Sequence, residues 1–342
     1  MDLKNVIFAL ADCDGVSGNE ENAVQTAVGF LKEYTDDITV KNNCVIGNIG
    51  TRCESKPHVM IDAHIDQIGM ICSYITDDGF IKVGNLGGLD RRILSAQQVI
   101  IHGKKNIKGV ISSVPPHLSD GGKKVPEMSD ISIDTGYSGD ELKKIVSLGD
   151  TISFDTKCRE LLNGRITGHS LDDRCGVASI LYMLDILKDE FDNLPCSITV
   201  LFSSQEELGE RGAKISVYDI DPDYAVAVDV SFAKTADESA EKCGIMGDGC
   251  MIGIAPVLDR KLSDSFIKTA QEMNIPYQTE IMNGTTGTNA DRFSVSKSGI
   301  KSVTCSIPLK YMHTPAEEIQ ISDVENTALL MAEFLRRCSK NA

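Results

Sequence analysis

Apolar positions follow two different periods along the chain, and the period changes twice. Between about residues 19 and 34 they recur at helical spacing, after a Ser17 and Glu20 pair whose separation predicts a capping box. The runs CVIGNIG and HVMIDAHID that follow are typical of short β-strands, and His64 and Asp66 come at the end of the second run. The beginning of the chain therefore predicts an α/β unit.

From about residue 67 to 160 the pattern becomes one of short strands. Gly, Pro and Lys separate the runs GFIKVGNLGGLD, QQVIIHG, NIKGVISSVPPH and GDTISF, and the only helix signal lies between Ser138 and Val146. Closely spaced short strands with turn residues between them predict a small β-rich barrel or sandwich.

After residue 165 the helical period returns and alternates with apolar runs. The order is a long helix (LDDRCGVASILYMLDILKDEF), a strand (SITVLFSS), helix-compatible QEELGERGA and a strand (YAVAVDV). This alternation is typical of a sheet covered by helices. We therefore predict one discontinuous α/β domain, residues 1–66 and 161–342, interrupted by an inserted β-rich domain, residues 67–160.

Charge and composition exclude some classes of protein. The 342 residues include 34 Lys and Arg against 50 Asp and Glu, a net charge of −16, which argues against binding to nucleic acid or to an anionic membrane. The 11 cysteines form no C-x-x-C pair, which predicts reduced thiols. No apolar run reaches the roughly 18 residues of a membrane span, and the amino terminus does not resemble a secretory signal, so we expect a cytoplasmic protein.

Residue types that bind metals stand where predicted strands end. They occur in five segments: AHID with His64 and Asp66, SLDDR with Asp172 and Asp173, SSQEELG with Glu206 and Glu207, VAVDV with Asp229, and KYMHTPAEE with His313. Ligands of open α/β sheets bind beyond the carboxyl ends of the strands, so these segments can converge there. Two imidazoles and several carboxylates in one cleft need cations, and they suit a pair of zinc-class ions.

Each segment also has an ordinary structural interpretation. The paired acids could be charges at helix amino termini, where the helix dipole favours them. Alternatively, one of Glu206 and Glu207 binds metal while the other accepts a proton from water, and one of Asp172 and Asp173 bridges two ions. The sequence alone does not show which member of either pair has which role. Asp229 is harder to explain without a cation, because a carboxylate within an apolar strand is costly to bury unpaired.

Taken in order, eight motifs resemble those of one family. They are AHIDQIGM, NLGGLDRRIL, PPHL, SLDDR, QEELGERGA, VAVDV, GTNAD and IPLKYMHTPAEE, and they are similar to motifs of the tetrahedral (TET) aminopeptidases, di-metal exopeptidases of the glutamyl and leucyl aminopeptidase type. The resemblance implies a zinc-peptidase-like catalytic domain, in which helices sandwich a mixed sheet, and an inserted small β-barrel domain for dimerisation. It also implies two zinc or cobalt ions per subunit, peptide substrates with a free amino terminus, and dimers assembled into a homododecamer.

The resemblance also implies the ligands of the two ions. His64 and Asp229 would bind one ion, Glu207 and His313 would bind the other, and Asp172 would bridge both.

Two further residues receive catalytic roles from the resemblance. Asp66 would orient His64, and Glu206 would be the general base. Three positions depart from the family pattern without being ligands: Gln67 replaces a usual Glu, Asn289 a common Asp, and Lys310 a frequent Arg.

The resemblance predicts hydrolysis at the amino terminus of peptides. The alternative reaction is that of a di-metal deacylase or carboxypeptidase acting on N-acyl amino acids. A protein of another class, which assembles around a structural metal and has no activity, is disfavoured because a structural site needs no spare base such as Glu206.

Overall fold

The computed structural model describes residues 1–53, 55–118, 125–236 and 241–339. The helices are α1 (Leu3–Ala11), α2 (Glu21–Leu31), α3 (Gly139–Ile145), α4 (Leu171–Leu187), α5 (Arg211–Ile220), α6 (Arg260–Met273), α7 (Ala290–Phe293) and α8 (Ile321–Arg337). The strands are β1 (Ile38–Lys41), β2 (Cys44–Ile49), β3 (His58–His64), β4 (Gly69–Ile75), β5 (Phe80–Leu86), β6 (Gln98–His102), β7 (Asn106–Ile111), β8 (Ser132–Asp134), β9 (Thr151–Phe154), β10 (Arg159–Glu160), β11 (Arg165–Gly168), β12 (Ser197–Ser203), β13 (Tyr224–Phe232), β14 (Cys250–Ile254), β15 (Tyr277–Ile281), β16 (Lys301–Lys310) and β17 (Glu317–Gln320).

A large mixed sheet forms the centre of the molecule. Its strands follow the order β1-β2-β12-β3-β13-β16-β17-β11-β10, and β14 and β15 extend it beside β16. Strands β12, β3, β13 and β16 are parallel, whereas β2 and β17 pair antiparallel to their neighbours in this group. The carboxyl ends of the four parallel strands therefore lie at one edge of the sheet.

Alternate residues of the parallel strands pack into cores on opposite faces of the sheet. In β3, Val59 and Ile61 join the core that includes side chains of α1, α2, α4 and α8, whereas Met60 joins the core with α5 and α7. In β13, Val226 packs into the first core and Ala227 into the second. A strand buried on both faces reads as a continuous apolar run, as these strands do.

The second unit is a closed barrel with the strand order β4-β5-β8-β7-β6-β9. It has its own apolar core, in which Ile81, Ile101, Ile133 and Ile152 are fully buried. The predicted fold, a helix-covered mixed sheet with an inserted β-barrel, is confirmed. The exact division of the chain at residues 66 and 160 stays a prediction.

Two local predictions were wrong in part. The predicted early helix is present as α2, but it is shorter than the predicted span of about 19–34, and Ser17 does not cap its first turn, because the Ser17 hydroxyl donates to the Asp66 carboxylate. The segment QEELGERGA is a turn up to Glu210, and α5 begins only at Arg211. Gln205 and Glu210 have positive φ angles of 53° and 58°, a conformation that helices do not contain.

Among the described residues, no helix combines the length and the apolar character needed to cross a membrane.

Candidate metal and catalytic site

The strand pattern places His64 and Asp229 on one face of the sheet, at its carboxyl edge. His64 ends β3 and follows Met60 by four residues, and Asp229 follows Ala227 by two in β13. Since side chains alternate along a strand, all four residues point to the face covered by α5 and α7. Both polar residues are buried, with 1% and 7% of their surfaces exposed.

Helix α4 brings the two adjacent aspartates to this edge. The Asp172 Oδ1 atom lies 3.0 Å from His64 Nε2, whereas Asp173 Oδ2 accepts a hydrogen bond from the His64 backbone N–H at 3.2 Å. The peptide bond between the two aspartates is cis. Asp173 Oδ1 also accepts from the Gly176 backbone N–H within α4, at 3.2 Å.

His313 and Glu207 lie on the other side of Asp172. The His313 Nε2 atom is 3.4 Å from Asp172 Oδ2 and 3.2 Å from Glu207 Oε1. The two carboxylate oxygens of Asp172 thus face the two imidazole rings, one each. This is the arrangement that a bridging carboxylate requires.

Two overlapping groups of ligand atoms are close enough to hold metal ions. One consists of His64, Asp172 and Glu207, and the other of His64, Asp173 and Asp229; within each group the ligand atoms lie within 4.8 Å of one another. The geometry therefore brings together every predicted metal ligand, and it adds Asp173 beside Asp229.

Asp66 connects one imidazole to the turn that carries the two glutamates. Its Oδ1 atom is 3.4 Å from His64 Nδ1 and accepts the Glu206 backbone N–H at 2.9 Å. Its Oδ2 atom accepts the Glu207 backbone N–H at 3.2 Å and the hydroxyl of Ser17. Asp66 is fully buried, so this network fixes both the ring and the turn.

The two glutamates differ in their surroundings. The Glu207 carboxylate contacts His313, whereas the Glu206 carboxyl has no hydrogen-bond partner within the part of the chain that the structure describes. Both line a cleft of about 290 Å³ that opens over the cluster.

Burial and mutual repulsion act on the acids of the cluster. Burial raises the pKa of Glu206, and Asp229 and Glu207 add to this against the lowering effect of His64, so that the pKa reaches about 9. Burial also raises the pKa of Asp229 well above its usual value, although His64 opposes it. Carboxylates held this close ionise together only when cations compensate them.

The imidazoles supply part of that compensation. Burial lowers the pKa of His313, but hydrogen bonds to Asp172 and Glu207 outweigh it and raise the pKa to about 11. The same balance, with Asp172 and Asp66 as partners, raises the pKa of His64. Among the described residues, the ion-pair partners of these carboxylates are the two imidazoles, and no Lys or Arg lines the cleft. Two nitrogen donors that face such carboxylates form a donor set that fits divalent metal ions.

Two positions that depart from the family pattern form hydrogen bonds with residues next to the site. The Gln67 side-chain oxygen accepts from Ser170 Oγ at 2.8 Å, just before Asp172 in the chain. The Asn289 amide nitrogen donates to the buried Asp62 at 2.7 Å, so an Asp at this position would set two carboxyl groups against each other. The third, Lys310, has its Nζ 3.9 Å from Glu318 Oε1.

Sequence reasoning missed two residues that hold the ligands in place. The buried Glu317 carboxylate accepts the backbone N–H groups of Asp172, at 3.1 Å, and His313, at 3.0 Å. The Gly88 carbonyl oxygen lies 2.9 Å from His313 Nδ1, and a Cβ atom at Gly88 would come within 2.8 Å of that nitrogen. Glu317 could have been noticed as the first of two adjacent acids that follow His313 in KYMHTPAEE, but nothing near Gly88 in the sequence points to His313.

Three of the other four histidines have surroundings that differ from those of the cluster. His58 Nε2 is 2.8 Å from Thr199, and His102 Nε2 is 2.9 Å from Ser153. His169 is buried, and neither ring nitrogen has a hydrogen-bond partner among the described residues.

Comparisons with known proteins identify the family of this chain. The M42 glutamyl aminopeptidase family matches residues 43–330. The lysyl aminopeptidase of Pyrococcus furiosus is 31% identical over 336 aligned positions, and the match covers 95% of this chain and 94% of that protein.

Solved structures of aminopeptidases are also similar to this chain. An aminopeptidase from the archaeon Desulfurococcus kamchatkensis has a TM-score of 0.92 at 30% identity, over 99% of this chain and 96% of that one. The Pyrococcus horikoshii TET1 peptidase, which can assemble into a tetrahedron or a large octahedral shell, has a TM-score of 0.88 at 27% identity, over 98% and 100% of the two chains. The predicted resemblance to the TET aminopeptidases is therefore confirmed, and the chain belongs to the M42 glutamyl aminopeptidase family of peptide-bond hydrolases.

Proposed function

We propose that this aminopeptidase uses two divalent ions to remove residues from the amino terminus of peptides. The observation that carries the proposal is the convergence of His64, Asp172 and Glu207 beside His313 and Asp229 in one cleft. In this proposal His64 and Asp229 hold one ion, Glu207 and His313 hold the other, and Asp172 bridges them. Zinc and cobalt both suit these nitrogen and oxygen donors.

The metal ions would supply Lewis acidity, which activates water and polarises a carbonyl group. Glu206 is proposed as the general base, because its carboxyl lines the cleft and forms no hydrogen bond with any described residue. It accepts a proton from the attacking water and delivers it to the leaving amine. Nearby cations would lower its raised pKa towards the range in which a base works at neutral pH.

Asp66 has a positioning role in this proposal. It orients His64 from one side and holds the backbone of Glu206 and Glu207 from the other. Such partners of metal ligands fix the ring orientation and raise the basicity of the imidazole.

A free substrate amine fits the charge of the cleft. The cleft is lined by Asp172, Glu206, Glu207, Asp229 and Glu280, and no Lys or Arg is among its described lining residues. An ammonium group would be attracted there, whereas a substrate carboxylate would be repelled. This favours an aminopeptidase over the alternative, a carboxypeptidase or a deacylase of N-acyl amino acids.

We also propose that subunits pair through the region 67–160 and that the dimers assemble into a tetrahedral dodecamer in the cytoplasm. The tetrahedral assembly of the similar TET1 peptidase supports this. Exposed apolar side chains in β7 and in the segment after it also support the proposal, since exposed apolar groups favour association; they include Val110, Val114 and Leu118.

The reaction is tested with a peptide and its N-acetylated form. We expect the metal-loaded protein to cleave only the free peptide, and a chelator to abolish cleavage without changing the far-ultraviolet circular dichroism, because the ligands sit on a sheet that an apolar core already holds. Restored zinc or cobalt should restore activity. Cleavage of the acetylated peptide alone would favour the deacylase, and full activity after chelation would contradict the role of metal.

A further inference from the structure

One carboxylate in the cleft belongs neither to the proposed ligand set nor to the proposed base. Glu280 lies in β15 and lines the cleft beside Ser231, Ser306 and Met282. Its Oε1 atom accepts the hydroxyl of Ser231, and its Oε2 atom accepts the hydroxyl of Ser306 at 3.1 Å. Each carboxylate oxygen can accept two hydrogen bonds, so both keep capacity for a donor from a ligand.

Strand register places this carboxylate next to the metal ligands without making it one of them. Ser306 is the direct partner of Asp229 across β13 and β16, and Ser231 follows Asp229 by two residues on the same face of β13. A two-residue step along a strand is roughly 6–7 Å. The distance between Glu280 and the proposed metal ligand Asp229 is therefore about the length of a long amino-acid side chain.

No described residue balances the charge of Glu280. The carboxylate forms no ion pair within residues 1–53, 55–118, 125–236 and 241–339, and no Lys or Arg of those residues lines the cleft. Burial raises the pKa of the Glu280 carboxyl, while the two serine hydroxyls oppose this by stabilising its charged form. A cation brought by the substrate would complete this arrangement.

The remaining wall of the cleft suits the stem of a long basic side chain. Met282, Met312 and Phe232 contribute apolar surface to it. Lys and Arg side chains pack their methylene stems on such surface while the charged end reaches a polar group. Flexible methionines adapt to stems of different shape.

We infer that Glu280 is a specificity residue that selects peptides whose amino-terminal residue is Lys or Arg. The inference rests on the proposed function, because the substrate amine must lie at the metal cluster for the side chain to reach Glu280. A Glu or Asp side chain at the same place would meet an uncompensated like charge. An uncharged residue such as norleucine would fill the same space without the ion pair.

The test compares lysyl, norleucyl and glutamyl p-nitroanilides in the wild-type, metal-loaded enzyme. Norleucine keeps the four-carbon stem of lysine and lacks only its ammonium group. We expect kcat/KM to be about 10- to 100-fold higher for the lysyl than for the norleucyl substrate, as for a hydrogen bond to a charged group. The glutamyl substrate should be the poorest of the three.

Glu280→Gln keeps the shape and the serine hydrogen bonds but removes the charge. We expect the lysyl-to-norleucyl ratio to fall towards one in this variant, and Glu280→Lys to shift the preference towards the glutamyl substrate. The matched control is Glu33→Gln, which removes one negative charge at an exposed position outside the cleft and should keep the wild-type ratio.

Three outcomes would overturn the inference. They are a wild-type preference for the norleucyl or glutamyl substrate, an unchanged ratio in Glu280→Gln, and an equal loss for both substrates, which would place Glu280 at the substrate amine. Competitive inhibition of the wild-type enzyme needs no variant: free L-lysine should inhibit at least tenfold more strongly than L-norleucine, and equal inhibition would contradict the inference. If no substrate with a free amine were hydrolysed, the proposed function itself would fail.

Discussion

The adjacent glutamates provide the sharpest test of the proposed mechanism, because they have the same chemistry and differ only in their surroundings. Glu207 contacts His313 at 3.2 Å, whereas the Glu206 carboxyl faces the cleft without a hydrogen bond to any described residue. A change of either one to Gln keeps its size and removes its charge. The two variants should therefore fail in different ways.

Glu206→Gln removes a group that accepts a proton and leaves the ligand set complete. General acid–base catalysis contributes about 10²- to 10⁴-fold, so kcat should fall by that factor, or by about 2.7–5.4 kcal/mol in activation free energy. Both ions should stay bound. Glu207→Gln instead replaces an anionic ligand by a neutral amide, which should weaken binding of one ion by at least about 10- to 100-fold, since even indirect partners of metal ligands contribute that much.

The assay combines kcat with metal content, measured by mass spectrometry after dialysis. Glu206→Gln should be fully loaded and almost inactive, and added metal should not help it. Glu207→Gln should lose one ion, and excess metal should restore part of its activity. Glu33→Gln serves as the control for loss of one charge. The reverse pattern would exchange the two roles, and near-normal turnover in both variants would refute the hydrolytic mechanism.

Two further predictions concern assembly and stability. Sedimentation at micromolar concentration should give particles far heavier than the 37.1 kDa subunit, and a single species of subunit mass would contradict the proposed dodecamer. Burial lowers the pKa of His169 to about 4, below its unfolded value near 6.5, so the unfolded state binds more protons between these pH values and the free energy of unfolding should fall as pH drops from 6.5 to 4. Denaturant unfolding of His169→Leu should show a weaker fall across this window, and an unchanged slope would contradict the assignment.

The fold could be predicted from sequence because its main strands are buried on both faces. Runs such as YAVAV carry apolar residues at every position, and the helices between them follow the 3.6-residue period. The short barrel strands were recognisable for the opposite reason, since Gly and Pro separate them at close intervals. Both signals are local and do not depend on which strands pair.

The local errors arose where a distant partner competes with a local motif. Ser17 and Glu20 have the spacing of a capping box, but the Ser17 hydroxyl binds Asp66, 49 residues further along the chain. The glutamates of QEELGERGA favour a helix, yet Asp66 accepts two successive backbone N–H groups from that segment and holds it as a turn. No local pattern contains this information.

The candidate site was predictable at its strand ends and not elsewhere. His64 and Asp229 follow apolar runs, so their place at the sheet edge could be expected. The residues did not distinguish Asp172 from Asp173, whose difference appears only in space: Asp172 faces both imidazoles, whereas Asp173 binds backbone N–H groups. Glu280 could not be found from sequence, because its partners come from two other strands.

The contact between Gly88 and His313 links the inserted region to the proposed metal centre. A carbonyl oxygen only accepts hydrogen bonds, so the 2.9 Å contact requires a proton on His313 Nδ1. A metal ion bound beside Asp172 and Glu207 would take the place of the Nε2 proton, so that the ring becomes neutral and keeps its remaining proton on Nδ1. His64 is held in the same tautomer by the Asp66 carbonyl oxygen, 3.1 Å from its Nδ1 atom. The central sheet thus orients one imidazole and the inserted region orients the other. The orientation of the proposed ligand His313 therefore depends on the inserted region as well as on the sheet.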